Sequence, residues 1–148
     1  MSTGRRPLVA GNWKMHGSRA SNAALLQALA RGLPRTRAAE VAVCPPAPYL
    51  ELAAAALKDS DIALGAQNLC DQDQPGAFTG EVLGAMLRDV GCTFVIVGHS
   101  ERRALYGESD EIVARKFRAA QKAQLVPILC VGETLQQREA GETERVLA

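Results

Sequence analysis

Residues 93–98 read TFVIVG, and this stretch decides the fold class. Its apolar residues follow one another without alternation. That pattern suits a strand buried on both faces, as in a parallel sheet covered by helices. Working outward, short β-branched runs keep alternating with longer amphipathic runs. Further strands are expected at PLVAG (7–11), EVAVC (40–44), DIALGA (61–66) and LVPILCVG (125–132). Helices are expected at 21–33, 47–58, 81–91 and 109–123. The first should place Leu25, Leu29 and Leu33 on one face and stop at Gly32. In the last, Ser109 is a cap, Asp110 and Glu111 suit the positive dipole end, and Val113, Phe117 and Ala120 share a face. Residues 133–148 also read as helical.

Repeated strand–helix alternation defines an α/β fold with right-handed crossovers. Two arrangements compete. Length alone favours a five-stranded doubly wound sheet. A barrel of eight βα units uses about 31 residues per unit, or roughly 250 in all. The 148 residues here would supply the first five-eighths of one. An end within helical sequence at Ala148 favours this incomplete (β/α)8 barrel, with residues 1–148 as a single domain.

Composition narrows the function. The chain is 47% hydrophobic and 22% charged, ordinary for a globular protein, so disordered and fibrous classes drop out. Seventeen basic and sixteen acidic residues give a net charge of +1. That balance offers no footprint for nucleic acid or an anionic membrane. No apolar run approaches the roughly 20 residues that span a bilayer. The N-terminus lacks the apolar core of a signal peptide. Cys44, Cys70, Cys92 and Cys130 form no C-x-x-C pair, and only His16 and His99 could join them, so no zinc site is expected. The thiols are expected to be reduced, in a cytoplasmic protein. Neither a phosphate-binding P-loop nor a G-x-G-x-x-G fingerprint is present.

In α/β folds the chemistry collects just beyond the carboxyl ends of the strands. GNWK (11–14) places Asn12 and Lys14 there. A lysine charge beside an amide could hold an anionic oxygen, or the pair could be a solvated lysine and a turn-forming asparagine. GHSERR (98–103) places His99 at the end of the buried strand, with Glu101 two residues on. A histidine there can act as acid, base or hydrogen-bond donor, or it can be structural. If SERRAL forms a helical turn, its positive end disfavours the imidazolium. The loop at 67–81 exceeds the usual βα length of about two to six residues, which marks it as functional, interfacial or simply mobile. Elsewhere, Cys130 and Trp13 read as packing and Glu133 as a dipole complement. His16 reads as an exposed loop residue, and the basic run 115–122 as a solvated helix face.

GNWKM (11–15), GAFTGE (76–81), VIVGHSERR with YGE (95–108) and CVGETLQQRE (130–139) together resemble the triosephosphate isomerase family. The resemblance runs in order from Pro7 to Ala148. It implies the barrel rather than the open sheet. It also implies interconversion of dihydroxyacetone phosphate and glyceraldehyde 3-phosphate through an enediolate, in glycolysis and gluconeogenesis, with neither metal nor organic cofactor. Asn12 and Lys14 match the substrate-binding pair, His99 the electrophilic histidine and Glu101 a buried acid supporting the lysine. The long loop, with Thr79 near its end, resembles the segment that inserts into a partner, so a homodimer is implied. The family's general base follows the sixth strand, and its lid and phosphate grip follow later still. Glu133 matches a different position. The expectation is therefore the electrophilic half of a site, inactive alone. The alternative is a non-catalytic barrel fragment that folds by self-association.

Overall fold

The computed structural model describes residues 4, 6–34 and 38–148. Five strands are present: β1 (Leu8–Asn12), β2 (Glu40–Cys44), β3 (Ile62–Ala66), β4 (Phe94–Val97) and β5 (Val126–Leu129). They are joined through α1 (Arg19–Gly32), α2 (Leu50–Leu57), α3 (Gly84–Asp89), α4 (Ser100–Tyr106) and α5 (Asp110–Lys122). Helices α6 (Leu135–Glu139) and α7 (Thr143–Leu147) follow. All neighbouring strands pair in parallel. Their spatial order is the chain order, β1-β2-β3-β4-β5. A doubly wound sheet starts inside and reverses at a switch point. Unbroken sequential order instead describes the wall of a barrel, here half curled and open. Because Asn12 lies opposite Cys44 and the other pairs run in step, the carboxyl ends share one rim.

The core lies between this wall and its outer helices. It centres on Leu26, Leu57, Leu64, Leu69, Leu87 and Val95, and every residue of β4 is buried. The sheet edges differ. Val9 of β1 and Val126 of β5 are 59% and 54% exposed, because each edge strand has a neighbour on one side only.

Several local expectations change. Helix α1 begins at Arg19, where Ser18 and Ser21 form a reciprocal capping box. Its buried residues are Asn22 and Leu26, with Leu29 and Leu33 half-buried behind them, while Leu25 faces solvent. The polar Asn22 hides this 22-26-29-33 stripe from a reading based on leucines. Helix α3 starts at Gly84 rather than at residue 81, because Phe78–Glu81 closes a turn first. Strand β5 stops at Leu129, short of the expected 132. Cys130 lies just beyond it, only half-buried and outside the main core cluster.

The basic run of α5 is a solvated face at Arg115, Arg118 and Lys122 but not at Lys116. Lys116 is buried and bonds Glu108 Oε1 at 2.5 Å and Asn68 Oδ1 at 2.7 Å. Arg115 bonds Asp71 at 2.8 Å, and Lys122 pairs with Asp73. Together they hold the first half of the long loop on the helix. Residues 73–81 of that loop are exposed.

Candidate active site

A cleft of about 650 Å³ opens at the carboxyl rim. Asn12, Lys14, His99 and Glu101 all line it. The first strand delivers Lys14 through a tight turn. The Trp13 N–H donates to the Cys44 carbonyl at 3.1 Å, extending the ladder past the strand end. Lys14 then takes φ +52°, a left-handed conformation costly for a side chain with a Cβ. Two amides hold it there. Asn12 Oδ1 accepts from the Lys14 N–H at 3.0 Å. Gln67 Nε2 donates to the Lys14 carbonyl at 2.9 Å and to the Cys44 carbonyl at 2.8 Å.

The Lys14 ammonium lies 2.8 Å from Glu101 Oε1. This hydrogen bond and charge hold the Glu101 carboxyl below its usual range. Glu101 is not the buried acid expected. Its side chain is 46% exposed, since the open sheet leaves this side of the cleft to solvent.

His99 caps the N-terminus of α4. Its Nδ1 accepts from the Glu101 N–H at 3.2 Å. A ring nitrogen that accepts carries no proton, which places the hydrogen of a neutral ring on Nε2. Glu101 Oε2 stands 3.5 Å from the same Nδ1, and a proton there would displace the backbone donor. The arrangement gathers an ammonium, an amide and an imidazole on one rim. Such a set can stabilise negative charge developing on substrate oxygens.

Thr79 does not join them. It lies with Gly80 at the centre of the exposed Phe78–Glu81 turn, where Gly80 takes φ +92°. The adjacent Gly80 and Glu81 do reach the cleft. Glu133 lies away from it, accepting from Arg138 at 2.8 Å and from Thr143 at 3.3 Å. Trp13 is half-buried against the core, and His16 is exposed at the cleft mouth.

Gln67 is the functional neighbour the sequence reading missed. It directly follows β3, the same strand-end position that singles out Lys14 and His99, and it also opens the long loop. Glu108 was missed as well. Its Oε1 accepts from Arg102 at 2.6 Å as well as from Lys116. Burial pushes its carboxyl up, but the two cations outweigh burial and hold it below the usual range. Burial raises the Cys44 and Cys92 thiols to about 12 and about 11, so neither is a ready nucleophile. Among the described residues no cluster of three or more His, Cys, Asp or Glu could hold a metal ion. No described helix is long and apolar enough to cross a membrane.

A parallel wall in chain order, with its polar groups gathered at the strand ends, defines a protein of the β/α-barrel class. The triosephosphate isomerase family model matches residues 7–148, and the chain belongs to that family. It is 60% identical over 144 residues to triosephosphate isomerase of Thiobacillus denitrificans, spanning 97% of this chain and 56% of the relative. The Nitrosomonas eutropha enzyme is 56% identical, with 97% and 57% covered. The crystal structure of triosephosphate isomerase from Bartonella henselae superposes with a TM-score of 0.89 at 43% identity, covering 97% of this chain and 59% of that one. The chain thus spans little more than half the length of these relatives.

Proposed function

We propose that this chain carries the electrophilic side of a triosephosphate isomerase site, acting on dihydroxyacetone phosphate and glyceraldehyde 3-phosphate. The observation that carries the reading is the convergence of Lys14, Glu101 and His99, with Lys14 2.8 Å from Glu101 and the His99 ring aimed by the Glu101 N–H. In this reading Asn12 and Lys14 bind the substrate. Removing a proton next to a carbonyl puts negative charge on two oxygens in turn. The Lys14 ammonium and the His99 Nε2–H stabilise that charge, and Glu101 keeps Lys14 in place. The chemistry calls for neither a metal nor an organic cofactor.

The general base is a different matter. Among the described residues, the acidic side chains lining the cleft are Glu81 and Glu101. Glu101 is engaged by Lys14, and Glu81 sits on an exposed turn. The chain alone is therefore expected to bind triose phosphate without turning it over. We assign it to the cytoplasm and to glycolysis and gluconeogenesis. Its physiological form is a homodimer in which the loop 67–81, with Thr79, meets the partner.

Titrating the 148-residue chain with dihydroxyacetone phosphate under NMR observation tests the reading. Shifts should move at Asn12, Lys14 and His99, and Lys14→Ala should abolish them. Unmoved resonances at these three residues would refute it. The exposed apolar residues on both sheet edges, Val9 and Val126 among them, favour a second reading in which the chain self-associates without catalysis. Sedimentation would then show concentration-dependent oligomers while the titration stays flat.

A further inference from the structure

The connection from β4 to α4 consists of Gly98 and His99 alone, so whatever aims the His99 ring acts through this turn. Gly98 takes φ +70°, in the left-handed region that favours glycine. A Cβ at this position would lie 2.8 Å from Val113 Cγ1 and 3.1 Å from Arg103 Nη2. The Arg103 guanidinium therefore packs directly on the turn. Its Nε donates to the Gly98 carbonyl at 2.8 Å, and its Nη1 donates to Asp110 Oδ1 at 2.5 Å. Asp110 is the first residue of α5. One planar fork thus ties the turn, α4 and α5 together.

Among the described residues, the hydrogen bonds of His99 are local. Its carbonyl accepts from the N–H groups of Arg102 and Arg103 at 2.8 and 3.1 Å. Its Nδ1 accepts from the Glu101 N–H at 3.2 Å. All of these donors lie on α4. The ring's orientation, and the nitrogen that bears its hydrogen, then depend on where α4 sits relative to the end of β4. The Arg103–Gly98 bond is the side-chain contact that fixes that relation.

We propose that Arg103 is a positioning residue: its guanidinium fork locks the β4–α4 turn and so sets the orientation and tautomer of His99. This deepens the isomerase reading and rests on it for its catalytic consequence, but the geometry stands by itself. A lysine at the position would keep the positive charge and lose the fork, because an ammonium on a flexible stem cannot span two fixed acceptors in one plane.

Long-range proton–nitrogen NMR of the His99 ring in the 148-residue chain, at a pH where the ring is neutral, is the test. The unsubstituted chain should show the Nε2–H tautomer. In Arg103→Gln and Arg103→Lys the ratio of tautomers should shift by about fivefold, as loss of one well-placed hydrogen bond would cause. Backbone resonances remote from residues 97–113 should stay in place. Asp110→Asn keeps the Gly98 bond and should shift the ratio less. An unchanged ring spectrum in Arg103→Lys would overturn the proposal, since charge alone would then suffice. That variant also decides the matter if Arg103→Gln fails to fold. No triose phosphate is present, so failure here leaves the isomerase reading to its own titration.

Discussion

Two turns on one rim deliver the two side chains that matter, and they do it differently. After β4, the left-handed residue is Gly98, and His99 follows in an ordinary extended conformation. After β1, the left-handed residue is Lys14 itself. A glycine adopts that conformation freely, whereas a lysine there carries about 1 kcal/mol or more of strain. The difference tracks the surroundings. The β4 turn lies against Val113 and Arg103, so there is no room for a side chain at the left-handed position. The β1 turn lies on a half-exposed edge, where room is available but rigidity is not. Asn12 and Gln67 supply the rigidity from outside. The lesson is that a strained functional residue implies neighbours that hold it, and those neighbours belong on the list of candidates.

Substitutions can break the comparison. The largest effect is expected at Gly98. Gly98→Ala meets both a left-handed backbone and a 2.8 Å approach to Val113, and overpacking of that kind costs about 1–3 kcal/mol beyond the conformational penalty. Urea unfolding should show the loss, and a midpoint within error of the parent chain would mean the turn is looser than described. Next comes Gln67→Leu, which takes the Gln67 donor from the Lys14 carbonyl and leaves the Cys44 carbonyl with the Trp13 N–H. It should cost about 1–3 kcal/mol and weaken triose phosphate binding at Lys14. Unchanged binding would show that Lys14 holds its place unaided.

Lys14→Gly reverses the sign. Relief of strain should raise stability by about 1 kcal/mol while binding disappears. Thermal unfolding and the titration, run on one preparation, check both halves. The smallest effect concerns acid. The Arg115 hydrogen bond holds the Asp71 carboxyl below its usual range. A carboxyl depressed in the folded state adds stability above its unfolded pKa and loses it as pH falls toward the folded value. Stability should therefore decline below about pH 4, and Asp71→Asn should flatten part of that decline. A profile identical in the two chains would remove Asp71 from the account.

Much of this architecture was legible in the residues. The unbroken apolar run of β4 announced a doubly covered strand, and all four of its residues are buried. The choice between open sheet and barrel was not legible from alternation, because strand order is a property of packing rather than of local pattern. The ordered motifs resolved it. On the charged face of α5 the buried Lys116 was not legible for a related reason. Arg115 and Lys116 find partners 44 and 48 residues away, beyond the reach of any helical periodicity. Helix α1 was misphased because its stripe begins with Asn22, a polar residue that is 2% exposed. At the site, strand-end position found Lys14 and His99. Gln67 holds the equivalent position after β3, where the unusual length of the following loop masks it.

An isomerase assay on the purified 148-residue chain, with intact mass measured on the same sample, tests the central claim most directly. A mass of 15.7 kDa with binding of triose phosphate and no turnover above the uncatalysed background is the expected result. Turnover at that mass would contradict the account, because a general base would then have to lie among residues assigned other work.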